Sequence, residues 1–278
     1  MNRGNTIMNQ LKYSVLMSVY RRENPNFFRE SLKSMLEQTI KPDEIIIVKD
    51  GPLTPELDSV FEEFKDETIR IVSLTENRGL GEALNIGLKH CNNELIARMD
   101  TDDISKKDRC EKQLSMFLKN KSLSIVSSAV AEFDESPERI DAIKKLPTIH
   151  EEIIKYAKTR NPFNHPAVMF KKSEVEKVGG YKHFYLFEDY YLWVRMIQNG
   201  AVCANIDEPL VYMRANANMY KRRGGFRYFI AMMSFKLHLK KIGFYSSKDF
   251  AVSAISHGVV SLMPNRLRML VYRFLLRS

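Results

Sequence analysis

At 278 residues, 44% hydrophobic and 28% charged, with 12 glycines and 10 prolines, the chain has the size of one large domain or two small ones and a globular composition. That excludes a peptide hormone, a knottin, a collagen-like rod and wholesale disorder, and three scattered cysteines (Cys91, Cys110, Cys203) without CxxC or HExxH spacing offer neither a disulfide framework nor a zinc site. The net charge of +9 is local: from Lys221 onward 12 Lys and Arg face one acid, Asp249, which leaves 31 basic and 33 acidic residues before it, so the basicity belongs to the tail.

In chain order, MNRGNTIMNQLKYS lacks an apolar core of signal-peptide length, and YSVLMSV at Tyr13–Val19 then reads as a strand. PNFFRESLKSMLEQ follows as a helix, with Pro25 suited to its first turn. EIIIVKDG at Glu44–Gly51 is a buried strand ended by the turn chemistry of Asp50-Gly51-Pro52. PELDSVFEEFK places Leu57, Val60, Phe61 and Phe64 on one helical face. TIRIVSL, LGEALNIGLKHC and ELIARMD continue as strand, helix and strand. This alternation predicts an α/β fold with an open, mostly parallel central sheet flanked by helices. After Asp103 a helix is expected near Lys107–Lys119, then a short apolar run, SLSIVSSAVAEF, and a polar stretch from Asp134 to His150. The second half reads as a helix-and-strand extension closing over the first. The run Phe250–Met263 is interrupted by Ser253, Ser256 and His257, so no bilayer span is expected there.

Ligands of open α/β sheets collect at the carboxyl ends of the strands, where Asp50 and Asp100 both fall. Asp100-Thr101-Asp102-Asp103 concentrates three carboxylates after a buried strand. A hard cation, Mn2+ or Mg2+, would relieve their repulsion and bridge them to nucleotide phosphates; a solvated loop with Asp103 capping the next helix is the other reading. Asp50 suits a turn as well as a ligand contact. Asn77-Arg78-Gly79-Leu80-Gly81 opens a helix and can face an anion, but Leu84 stands where a dinucleotide fingerprint needs its third glycine. Glu188 and Asp189 start a helix whose apolar stripe includes Leu192, Trp193, Met196 and Ile197. They serve either as complements to the helix dipole or, for one of them, as a general base; Trp193 suits core or substrate platform. His165, between two prolines, is a structural or an acceptor-binding residue. Tyr212, Arg214, Arg222 and Arg223 form either a surface cluster or a phosphate clamp.

Six segments in order, SVLMSVYRRE, IIIVKDG, TENRGLGEALNIGL, RMDTDD, NHPAVMF and FEDYYLWVRM, resemble the family 2 inverting glycosyltransferases of GT-A (Rossmann-like) fold, over about Tyr13 to Arg214. RMDTDD and the compact chain with a basic tail resemble the O-antigen and capsule repeat-unit enzymes of that family. The resemblance implies a nucleotide-sugar-binding and catalytic domain over 1–220, followed by a basic helical extension over 221–278. It implies Val19, Tyr20 and Glu23 at the uridine, Asp50 at the uracil ring, Arg78 near the nucleotide, Asp100 at the ribose side, Asp102 on the metal and Asp103 near the sugar. Asp189 would be the catalytic base, with Glu188 beside it contacting the acceptor. Outside the family pattern, the residues themselves add His165 and Trp193 as acceptor contacts and Arg214, Arg222 and Arg223 as diphosphate ligands.

The implied reaction is metal-dependent (Mn2+ or Mg2+) transfer of a hexose, galactose or glucose, from a UDP-sugar to an N-acetylhexosamine on an undecaprenyl diphosphate carrier, with a β-glycoside as product. The tail from Phe226 interleaves apolar with Lys and Arg residues, which suits either a helical subdomain or an anionic membrane surface. A cytoplasmic enzyme peripheral to the inner face of the membrane is expected. A sugar nucleotidyltransferase would carry a Gly-rich loop where Ser18-Val19-Tyr20-Arg21-Arg22-Glu23 stands, and a nucleic-acid-binding protein would have only the tail to bind with.

Overall fold

The structure is a computed structural model that describes residues 11–215 and 224–263. Strands β1 (Tyr13–Val19), β2 (Glu44–Lys49), β3 (Ile69–Ser73) and β4 (Leu95–Arg98) pair in parallel in the order β3-β2-β1-β4. The connecting helices are α1 (Pro25–Leu36), α2 (Pro55–Glu63) and α3 (Leu80–His90). Asn24 starts α1, its side chain accepting the backbone N–H groups of Asn26 and Phe27, and Thr54 caps α2 ahead of Pro55.

Alternation along β1 divides the core in two. Val15, Met17 and Val19 point to α1 and α2, where Phe28, Leu32, Met35, Leu57 and Val60 cover them. Leu16 points to the other face, with Ile46 and Ile96, beneath Leu84 and Leu88 of α3. Helix α3 lies so close to the sheet that a Cβ on Gly87 would stand 2.5 Å from Leu16 Cδ1 and 2.7 Å from Val48 Cγ2. A side chain at position 87 would force Leu16 and Val48 to shift.

The second half extends the same sheet. Its elements are β5 (Ile104–Ser105), α4 (Arg109–Lys119), β6 (Leu123–Phe133), β7 (Ala142–Lys144), α5 (His150–Ala157), a 3₁₀ turn (His165–Ala167), β8 (Met169–Lys171), α6 (Lys172–Lys177), α7 (Glu188–Gln198) and β9 (Val202–Arg214). The full order is β3-β2-β1-β4-β8-β6-β9-β5, with β7 on β6. Strand β8 is antiparallel to both β4 and β6, whereas β9 runs parallel to β6 through register shifts near Ser128–Val130. The apolar run expected to be short is therefore an 11-residue strand buried along its whole length, and the polar stretch after it contains β7. Antiparallel β8 makes the second half a continuation of the sheet rather than a separate layer over it.

Beyond β9, α8 (Phe226–Lys241) and α9 (Ser247–Leu262) form a hairpin, with Ser246 and Asp249 in a reciprocal capping box at the start of α9. The hairpin docks through Phe235, Leu239, Phe244 and Tyr245 onto Ala157, Tyr190 and Val194, and the Phe187 and Phe235 rings stack 4.8 Å apart. Part of the expected extension thus shares a core with α5 and α7. Its outer face exposes Phe226, Ile230 and Leu237 on α8 and Val252, Ile255 and Val259 on α9. Among the described residues no helix is long and apolar enough to cross a membrane. Arg222, Arg223 and the tail from residue 264 lie outside the described residues.

Candidate active site

The carboxyl ends of β1, β2 and β4 meet at one edge of the sheet. Asp50 follows β2 and is tied to β1 by its N–H donating to Val19 O at 2.8 Å. Its carboxylate is 4% exposed and accepts from Arg78 N at 2.7 Å, Gly79 N at 3.0 Å and Asn77 Nδ2 at 3.0 Å. Asp50 therefore holds the loop that opens α3, a role the sequence did not disclose; a base contact would be made in addition. Gly51 is required beside it: its φ is +84°, and a Cβ there would stand 2.7 Å from Asn77 N. Val19 is fully buried, so it borders the site through its backbone, whereas Tyr20, Glu23 and Arg78 lie nearer the surface.

Asp100, Asp102 and Asp103 converge, each offering a carboxylate oxygen within 4.8 Å of the others. Ser31 donates to Asp100 O at 2.6 Å and pins the loop to α1. Asp103 is buried and accepts the Arg214 N–H at 2.9 Å. Burial, followed by the charges of Asp102 and Asp100, pushes its carboxyl well above the usual range. All three donors are hard oxygens with crowded negative charge, so the set fits a divalent cation of the Mg2+ or Mn2+ type. Beneath them Arg98, 1% exposed, pairs with Asp100. Arg98 was missed in the sequence, although an arginine inside the buried strand ELIARMD signals a counter-charge nearby.

Towards the other side of the site, His165 Nε2 and Tyr181 Oη are 3.0 Å apart. Burial, reinforced by Arg98, holds the imidazole well below its ordinary pKa, so it is neutral at pH 7. Asn85 of α3 grips the Tyr181 backbone through both its N–H and its C=O, at 2.7 Å each. Gly81, at the start of α3, lets Glu188 approach: a Cβ there would lie 3.8 Å from Glu188 Cβ. Through these contacts the amino ends of α3 and α7 face one another.

Asp189 accepts from Asn161 Nδ2 and from Tyr190 N, both at 2.7 Å. Asn161, 28 residues away and also missed in the sequence, fixes the orientation of the carboxylate. Burial, followed by the charge of Asp189, raises the Glu188 carboxyl. Leu186, two residues ahead of Glu188, has φ +67° and is 43% exposed. A branched residue held in the left-handed region stores strain at the entrance to α7. Asp189 also borders a cavity of about 220 Å³ between α7 and the α8–α9 hairpin.

Two expectations need correction. Trp193 is fully buried, edge-on to Phe163 and packed near Phe170, so it is core and cannot contact an acceptor. Arg214 is no free clamp: its guanidinium pairs with Glu30 and lies 3.9 Å from the Phe27 ring centre and 4.8 Å from that of Phe133. Its backbone N–H instead positions Asp103.

The sequence matches Glycosyl transferase family 2 over residues 14–178. The UDP-Gal:alpha-D-GlcNAc-diphosphoundecaprenol beta-1,3-galactosyltransferase of Escherichia coli is 42% identical over 267 residues, which cover 96% of this chain and 97% of the relative. The amylovoran biosynthesis glycosyltransferase AmsE of Erwinia amylovora is 39% identical over 236 residues, 84% of this chain and 88% of its own. Among solved structures, S. aureus TarS 1-349 in complex with UDP-GlcNAc superposes with a TM-score of 0.63 at 16% identity, covering 82% of this chain and 66% of TarS 1-349. The mannosyltransferase PcManGT from Pyrobaculum calidifontis, in complex with GDP-Man and Mn2+, gives 0.60 at 19% identity, over 90% of this chain and 70% of that one. The chain belongs to glycosyl transferase family 2: it is a glycosyltransferase with the GT-A fold, as the ordered motifs implied.

Proposed function

We propose that this glycosyltransferase moves galactose from UDP-galactose to the N-acetylglucosamine of a lipid-linked diphosphate of the undecaprenyl type, forming a β-glycosidic bond in surface-polysaccharide assembly. The observation that carries this reading is the 42% identity, along 96% of the chain, to an enzyme whose name states that donor, acceptor and bond. It narrows the hexose expected from sequence, galactose or glucose, to galactose, and it points to the 3-hydroxyl of the acceptor.

In this reading Asp50 and the Asn77–Gly79 loop shape the nucleoside pocket, with Tyr20, Glu23 and Arg78 at its rim. Asp102, with Asp100 and Asp103, would hold Mn2+ or Mg2+, whose charge when bound offsets that of the departing diphosphate. Asp189 takes the proton from the acceptor hydroxyl as its oxygen bonds to the anomeric carbon. The bond from that carbon to the UDP oxygen breaks on the opposite face, and its electron pair leaves with UDP. An α-linked donor thus gives a β product. Asn161 aims the base, and Glu188 and neutral His165 contact the acceptor sugar.

The apolar outer faces of α8 and α9, with the Lys and Arg residues of the tail, support placement on the cytoplasmic face of an anionic membrane, where a lipid-linked acceptor resides. The reaction is tested by following UDP release from a panel of UDP-sugars, with Mn2+ or with EDTA, with and without an alkyl GlcNAc-diphosphate acceptor. Release that requires UDP-galactose, metal and acceptor together, with a β-anomeric coupling in the product, is the expected result. Equal release without acceptor, or preference for another sugar, overturns the reading.

A further inference from the structure

The cavity beside Asp189 is lined by four basic side chains from separate parts of the chain, Lys144 of β7, Arg160 after α5, Lys236 of α8 and His257 of α9, and the last three face one another. Among the described residues Asp189 is the single acid in its lining. Cationic or protonatable groups gathered around one cavity disfavour one another's charged forms, and a protein retains such an arrangement where an anion offsets it. Arg160 has no carboxylate or carbonyl partner for its guanidinium among the described residues, and the His257 imidazole is equally unpartnered there. Lys236 is 3% exposed and gives two of its three N–H donors to Ser253, through the backbone oxygen at 2.9 Å and the hydroxyl. The third donor remains for a ligand. Burial, together with Arg160, lowers the ammonium to a pKa of about 7, as expected of a charge with no anion beside it.

Resting on the reaction proposed above, we infer that this cavity binds the diphosphate of the lipid-linked acceptor, with Arg160, Lys236 and His257 as its ligands. The geometry has a chemical logic. One sugar ring separates the reacting hydroxyl from the diphosphate, and Asp189 and the basic cluster line the same cavity. Tyr228, Phe187 and Tyr245 supply aromatic wall for the ring between them. The phosphates gain charge-assisted hydrogen bonds from Arg160 and from the Lys236 ammonium, and the neutral His257 imidazole adds a hydrogen-bond donor. The site is distinct from the Asp100–Asp103 cluster that serves the donor diphosphate, and it gives the C-terminal hairpin a place in acceptor recognition.

The test is calorimetric binding to the full-length protein of three probes, UDP with Mn2+, an alkyl GlcNAc-diphosphate and an alkyl GlcNAc glycoside lacking phosphate, for wild type, Arg160→Gln and Lys236→Met. Arg160 is half-buried on a loop and its variant reports without disturbing the hairpin core; thermal melts check that each protein is folded. Each substitution should weaken the diphosphate probe at least 10-fold, leave UDP within 2-fold and leave the weak phosphate-free glycoside unchanged. Vesicles of anionic phospholipid without the acceptor, added as competitor, should not displace the diphosphate probe; displacement would assign the cavity to lipid headgroups and overturn the inference. It is also overturned if the diphosphate probe binds Arg160→Gln as tightly as wild type, or binds no better than the glycoside. Failure of UDP to bind wild type would instead refute the donor reading, so the two failures are told apart.

Discussion

Replacing Asp50 with alanine separates a loop-supporting role from a purely ligand-binding one. The carboxylate, 4% exposed, accepts three hydrogen bonds from the 77–79 segment at 2.7–3.0 Å. A hydrogen bond to a charged group contributes about 1.5–3 kcal/mol. The freed N–H groups of Arg78 and Gly79 lie near the surface and regain water, so the three contributions do not add; the net loss should be about 3 kcal/mol. For a domain of this size each kcal/mol shifts Tm by about 2–4 °C, which gives a fall of about 6–12 °C in the protein without nucleotide. Asp50→Asn keeps one acceptor oxygen but turns an amide towards the N–H donors, and should lose about half as much. The assay is thermal unfolding by circular dichroism without ligand, paired with calorimetric UDP binding. If Asp50 serves only the uracil ring, UDP affinity falls while the nucleotide-free Tm holds. A nucleotide-free Asp50→Ala protein melting within about 2 °C of wild type refutes the loop-supporting argument.

Other outcomes follow from the same site. Asp189→Asn should reduce galactosyl transfer by roughly 10²–10⁴ while UDP affinity is retained, and turnover at the wild-type rate removes Asp189 from its role as base. Asp102→Asn, or EDTA, should weaken UDP binding and abolish the heat of Mn2+ binding to the protein; metal-independent UDP affinity would exclude the carboxylate cluster as the ion's holder. Burial, reinforced by Lys236 and Arg160, lowers the His257 imidazole to about 3. Between pH 6.5 and about 3 the unfolded chain carries a proton at this position that the folded chain does not, so stability falls as pH drops through that window. His257→Gln should flatten melting temperature against pH from 7 to 4; an unchanged slope would mean that the imidazole titrates normally.

The first four strands and three helices were legible because their signals are local: continuous Ile45–Val48, prolines at the starts of α1 and α2, and helical spacing at Leu57, Val60 and Phe61. The Asp100–Asp103 cluster was legible for the same reason, since three carboxylates in four positions lie within one another's reach, although their convergence is a property of the folded loop. The second half was harder to read. β6 is buried along its whole length, so it shows no alternation, and only its pairing with β8 and β9 reveals an 11-residue strand. Trp193 occupies a helical face that sequence assigns equally well to core or to substrate; contact with Phe163 and Phe170 settles it as core.

By itself the sequence determined the chemistry that is present: the order of strands and helices in the first half, the carboxylates at strand ends, the acids opening α7, and the confinement of the net positive charge to the tail. Tertiary structure alone decided which of these groups meet. Arg98 reaches Asp100 from under the loop, Asn161 reaches Asp189 across 28 residues, and Lys236 and His257 reach Arg160 through a hairpin docked on α7. The physical reason is range. Backbone propensity and side-chain periodicity act over one or two turns, whereas burial and charge pairing depend on which surfaces the fold presses together, and no local pattern encodes that choice.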